Sequence, residues 1–169
     1  MAKGKDDLER GVAEVVPPAA ATVTTTDVEL ESVELDPPRV GIIMGSKSDM
    51  DVMDGAAKVL RDADVRHEIK VMSAHREPEL VADYCRGARI RGLKVIIAGA
   101  GLSAALPGVA AAHTDLPVIG VPLSSRLSAM GGLDAILSVL QMPPGVPVAG
   151  VGLDNAKNAG HLALRILRT

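Results

Sequence analysis

The chain has 169 residues and a formal net charge of −3, a length that points to one domain. Hydrophobic residues make up 47%, yet there is no Trp, no Phe and a single Tyr. The core must therefore be aliphatic and alanine-rich, and nucleic-acid binding by stacking bases on aromatic rings is not expected. The one cysteine, Cys85, rules out an internal disulfide and fits a reducing, cytoplasmic setting, as a packed structural thiol in a helix.

Residues 1–38 stand apart. Three basic and nine acidic side chains give this segment −6 and leave +3 on residues 39–169. Low hydrophobicity with net charge predicts a disordered acidic extension. Val28, Leu30, Val33 and Leu35 alternate weakly, as an edge strand would. The charged stretch from Met1 to Arg10 is unlike a secretory signal. The longest weakly apolar run, Val95 to Ala112, is interrupted by glycines and Pro107 and is a poor membrane span.

From Arg39 onward, strand, loop and helix alternate. Val40 to Met44 reads as a buried strand, and Asp49 to Asp62 as a helix with apolar residues at 53, 56, 57 and 60. His67 to Val71 is the second strand. Pro78 opens a helix whose inner face is Leu80, Val81, Tyr84, Cys85 and Ala88, ending at Gly92. Lys94 to Ala98 is the third strand, followed by a glycine-rich turn and a short alanine-rich helix after Pro107. Leu116 to Pro122, Gly132 to Gln141, Val146 to Val151 and Asn155 to Leu167 complete the order as strand, helix, strand, helix. Such alternation predicts an α/β fold with a parallel sheet of five strands and helices on both faces. Ligands of these sheets bind beyond the carboxyl ends of the strands.

Polar residues and glycines gather at those ends. Gly45-Ser46-Lys47-Ser48-Asp49 opens a helix, where backbone N–H groups and two hydroxyls suit a phosphate, although an ordinary N-cap by Ser48 or Asp49 explains the segment equally well. The Asp49 carboxylate can accept from ribose hydroxyls. After the second strand, Ser73-Ala74-His75-Arg76 offers Arg76 as a phosphate fork, with an ion pair to Glu79 as the plainer reading. His75 is the candidate acid/base, because imidazoles ordinarily titrate near pH about 6.5. His67, His113 and His161 read as structural. After the third strand, Gly99-Ala100-Gly101 permits close backbone approach, and its N–H groups could hold a small carboxylate or carbon dioxide; a tight turn is the alternative. No Cys, His or carboxylate cluster has metal-ligand spacing, so no metal is expected.

Met44-Gly-Ser-Lys-Ser-Asp49, Ser73-Ala-His-Arg76, Ala98-Gly-Ala-Gly101, Pro117 to Pro122, Gln141 to Val148 and Asn155-Ala-x-Asn-Ala159 occur in order. Together they resemble the N5-carboxyaminoimidazole ribonucleotide mutase family and its relatives, the aminoimidazole ribonucleotide carboxylases. The resemblance covers about 39–167. It implies a three-layer α/β/α, flavodoxin-like domain in a homo-octamer with sites between subunits, acting without a cofactor in purine biosynthesis. It implies that Ser46, Asp49 and Arg76 bind the ribonucleotide, with Ser48 and Ser73 near its phosphate. His75 shuttles a proton, and the Ala98 to Gly101 turn, with Ser103 beyond it, borders the migrating carboxylate.

Ala105 stands where many members carry a second histidine, and members often continue past Thr169 into another helix. The Ser103-x-Ala-Leu order resembles the carboxylase branch, which uses free carbon dioxide; the later motifs resemble the mutases. Two further readings are the related carboxylase of nickel-pincer cofactor synthesis, which shares an Ala-Leu-Pro turn, and a nucleotide-binding module without this activity.

Overall fold

The computed structural model describes residues 37–169. The predicted acidic extension, with its alternating Val28 to Leu35, lies outside the described residues apart from Pro37 and Pro38. The elements are β1 (Val40–Met44), α1 (Met50–Asp62), β2 (His67–Val71), α2 (Pro78–Arg86), β3 (Val95–Gly101), α3 (Leu106–Ala112), β4 (Val118–Leu123), α4 (Leu133–Leu140), β5 (Ala149–Gly150) and α5 (Ala156–Leu167).

The sheet is wholly parallel, in the order β2-β1-β3-β4-β5. β1 and β3 are buried almost throughout because helices cover both faces. One face packs Val40, Ile42, Ile97 and Ile119 against Met53 and Leu60 of α1 and Ala159 and Ala163 of α5. The other packs Ile43, Ile96 and Val118 against Val81 and Cys85 of α2, Ala110 of α3 and Val139 of α4. This is the expected three-layer α/β/α sandwich.

Small residues set the spacing. An added Cβ at Gly160 would lie 2.9 Å from Val59 Cβ and 3.0 Å from the Ala56 carbonyl oxygen, so α5 sits against α1 with no room between them. Gly101 is similarly required, since a Cβ there would come within 2.8 Å of the Leu123 carbonyl on β4.

Three elements depart most from expectation. α2 stops at Arg86 rather than Gly92; turns continue from Gly87, and Gly92 closes them at φ +93. Leu80, placed on the inner face by its spacing, is 49% exposed. β3 runs on through Gly101, so Gly99-Ala100-Gly101 is strand rather than turn, in register with Val121-Pro122-Leu123. β5 shrinks from the expected Val146–Val151 to two residues, since Pro147 has no N–H for a ladder and Gly145 turns the chain at φ +92.

Cys85 is fully buried in α2. Burial pushes its thiol up to about 11, with Arg91 pulling weakly the other way. The native protein is therefore expected to resist a thiol reagent at pH 8 for hours, while the chain in denaturant reacts with one equivalent. Rapid stoichiometric labelling of the native protein would contradict this placement.

Candidate active site

The sheet order contains a switch point. The chain leaves β1 for β2 on one side and then crosses to β3 on the other, so the loops after β1 and β3 diverge and open a crevice. A cleft of about 520 Å³ lies there, within the usual range for a small-molecule site. It is lined by Ser46, Ser48 and Asp49 after β1, by Ser73, His75 and Arg76 after β2, and by Ala100, Gly101 and Ser103 after β3. Nine of the ten residues singled out from the sequence thus share one cleft. The tenth, Gly99, is buried within β3, where its hydrogens face the Met53 thioether. A second, more open recess of about 430 Å³ lies beside Pro38, Asp64 and His67, at the opposite ends of β1 and β2; none of the strand-tip loops reaches it.

The loop after β1 is held by its own side chains. Ser46 is the N-cap: its Oγ accepts from the Ser48 N–H at 3.2 Å and from Ser48 Oγ at 2.8 Å. Asp49 reaches back to accept from the Ser46 N–H at 3.1 Å, completing a capping box. Ser46 thus caps the 3-10 turn Lys47–Asp49 that leads into α1, and Asp49 stands at the N-cap position of α1, as the capping reading expected, without a side-chain cap bond there; the N–H groups of Gly45, Ser46, Ser48 and Asp49 are already engaged. The single Ser48 hydroxyl proton faces both Ser46 Oγ at 2.8 Å and Asp49 Oδ1 at 3.4 Å, and the shorter contact, with Ser46 accepting, leaves Ser46 its own proton to donate to an anion. Burial raises the Asp49 carboxyl above the ordinary range; hydrogen bonds from Ser48 and Ser46 and the positive charge of Arg76 oppose the rise.

Arg76 is not paired with Glu79. Its Nη2 donates to the Gly45 carbonyl at 2.7 Å and ties the second loop to the first. Arg76 lines the same cleft as Ser46, Ser48 and Ser73. Ser73, the buried polar residue of the site, accepts from the Arg76 N–H at 3.4 Å, and its carbonyl accepts from Glu77 N–H at 2.8 Å. That tight turn leaves the His75 side chain exposed at the cleft, with no hydrogen bond to any described residue.

Beyond β3, Leu102 and Ser103 line the cleft. Leu102 sits at φ +56. Leu102, Ala105, Leu106 and Leu123 make this end of the cleft apolar. Sequence reasoning missed Leu102, and it missed Ser124, Ser125 and Leu127 from the loop after β4. Among the described residues no group of three or more His, Cys, Asp or Glu is arranged to hold a metal ion, and no helix is long and apolar enough to cross a membrane.

A family model described as AIR carboxylase matches residues 39–169. The chain belongs to the AIR carboxylase family. Among curated members, it is 61% identical over 135 residues to the N5-carboxyaminoimidazole ribonucleotide mutase of Pyrococcus abyssi, covering 80% of this chain and 76% of that one. The mutase of Mycobacterium tuberculosis is 58% identical over 130 residues, covering 77% and 74%. Among solved structures of the family, Treponema denticola PurE superimposes with a TM-score of 0.67 at 34% identity, covering 78% of this chain and 80% of that one. The family match begins at Arg39, the residue that leads into β1.

Proposed function

We propose that residues 39–169 convert N5-carboxyaminoimidazole ribonucleotide to 4-carboxy-5-aminoimidazole ribonucleotide in purine biosynthesis. The observation that carries this reading is the cleft itself: a histidine, an arginine, two hydroxyls and a carboxylate from separate strand tips converge on one crevice. The mutase relatives, at 55–61% identity, favour carboxyl transfer over fixation of free carbon dioxide and over a binding module.

The ribonucleotide phosphate sits against Arg76 and the Ser46 hydroxyl, with Ser48 and Ser73 close by. Asp49 accepts from the ribose. His75 donates a proton to the exocyclic nitrogen as the carbamate C–N bond breaks and carbon dioxide leaves. Leu102, Ala105, Leu106 and Leu123 enclose that molecule in the apolar end of the cleft. Ring carbon C4 attacks it, and His75 takes back the C4 proton, so the histidine finishes as it began. Excluding water and fixing positions keeps the intermediate from escaping. No cofactor is required, because the aminoimidazole ring is electron-rich. Ala105 leaves His75 as the proton carrier at this end of the cleft.

The reaction belongs in the cytoplasm, in keeping with the reduced Cys85. The chain acts as a homo-oligomer, an octamer by family resemblance. In support, Leu133, Leu137 and Leu140 of α4, with Leu127 and Met130 before it, expose a row of apolar side chains. Sedimentation at micromolar concentration should give a mass well above 17.4 kDa; a monomer would remove the assembly.

Two substrates separate the activities. With N5-carboxyaminoimidazole ribonucleotide, product should form without accumulation of aminoimidazole ribonucleotide and without added bicarbonate. Dependence on bicarbonate would instead mark a carboxylase, and inertness to both substrates would leave only a binding module.

A further inference from the structure

The cleft has a fourth wall whose polar residues the proposed chemistry does not use. It comes from the loop after β4, where Leu123, Ser124, Ser125 and Leu127 face the cavity. This loop is tied to the turn before α5 by one residue. Asp154 accepts from the Ser124 N–H at 2.8 Å and from Ser124 Oγ at 2.5 Å. Asp154 adopts φ +55, and its own N–H donates to the Pro122 carbonyl at 2.9 Å, so the turn is shaped to bring that carboxylate under the loop.

The pairing fixes a polarity. A carboxylate can only accept, so the proton in the 2.5 Å contact belongs to Ser124. Ser124 Oγ then has lone pairs alone to offer the cleft. At the other side of the cleft the arrangement is reversed, since Ser46 Oγ accepts twice and keeps a proton to donate, beside Arg76. β1 and β4 are separated by β3, that is, by two strand spacings or about 10 Å. The cleft therefore has a donor end, where Arg76 offsets the Asp49 carboxylate and suits an anion, and an acceptor end, where the Asp154 charge has no cation beside it in the lining and disfavours one.

We infer that Ser124 recognises a hydrogen-bond donor of the bound ribonucleotide, a ribose hydroxyl or the exocyclic amine, and that Asp154 is the positioning residue that makes Ser124 an acceptor. This rests on the function proposed above and adds an orientation device to it: the phosphate is drawn to Arg76 and turned away from Asp154.

Asp154→Asn tests the polarity with little change of shape. Asparagine tolerates a positive φ as aspartate does, and its carbonyl can still accept from the Ser124 N–H. Its amide, however, donates to Ser124 Oγ and turns the serine proton toward the cleft. Calorimetric titration with aminoimidazole ribonucleotide and with ribose 5-phosphate should be run on the full chain, on Ser124→Ala, on Asp154→Asn and on the double variant, with melting curves as a check on folding. Each single variant should bind aminoimidazole ribonucleotide about fivefold to tenfold more weakly than the parent, the scale of one hydrogen bond. The double variant should be no weaker than Ser124→Ala, because Asp154 acts through that hydroxyl. A parallel loss with ribose 5-phosphate places the donor on the sugar; a loss confined to the aminoimidazole ligand places it on the amine. Unchanged affinity in both single variants, or losses that add in the double variant, would overturn the inference. A parent chain that binds neither ligand would overturn the proposed function as well.

Discussion

Replacing His75 with asparagine should leave ribonucleotide affinity within about twofold of the parent while lowering kcat by roughly 10²- to 10⁴-fold, the usual contribution of a positioned proton carrier. The imidazole is exposed on the loop after β2 and makes no hydrogen bond to a described residue. Its removal therefore costs the fold little, and the melting temperature should stay where it was. Asparagine keeps a polar group of similar reach but cannot take up a proton near neutral pH. The anchors assigned to the ligand, Ser46, Asp49 and Arg76, are untouched. A coupled assay of product formation, set beside calorimetric binding of aminoimidazole ribonucleotide, separates the two effects. Turnover close to that of the parent would remove His75 from the proton-transfer role, and loss of binding would show that it is an anchor instead.

Gly160→Val is expected to be the most damaging substitution away from the cleft, lowering stability by about 3 kcal/mol, at the upper end of the range for an overpacked interior. The atoms its Cβ would meet are Val59 Cβ at 2.9 Å and the Ala56 carbonyl oxygen at 3.0 Å. One is the stiff root of a side chain and the other is backbone, so neither can swing aside. α5 would have to retreat from α1, opening gaps around Ala56, Ala159 and Ala163 on that face of the sheet. For a domain of this size the loss corresponds to a fall of about 6–12 °C in melting temperature, which calorimetry would detect. A melting temperature within a degree or two of the parent would mean that the α1–α5 contact is looser than its geometry implies. Because α1 begins directly after the capping box at Ser46, reduced ligand affinity should accompany the loss of stability.

The alternation of elements was legible because each signal is local. The apolar run Val40 to Met44, the helical spacing of Met53, Ala56, Ala57 and Leu60, and Pro78 at the head of α2 are written in neighbouring residues, and each element lies where that pattern puts it. Three of the four cleft walls were legible for a similar reason, since serines, glycines and a histidine directly after a strand mark its carboxyl end. Local patterns were less informative about lengths. β3 runs through Gly101 because β4 lies alongside and offers partners as far as Leu123. β5 loses most of its expected length because Pro147 cannot donate to a ladder, a limit that an apolar run conceals.

The chain's sequence by itself determined the fold class, its wholly parallel sheet, and nine of the residues that line the cleft, because periodicity and turn chemistry act over a few positions. Only the tertiary structure decided that the loop after β4 closes the same cleft, that Asp154 reaches across thirty residues to orient Ser124, and that Gly99 faces the core instead of the ligand. Those contacts depend on strand order and on where helices cross the sheet. They arise from burial of whole faces at once, and no short stretch of sequence specifies them.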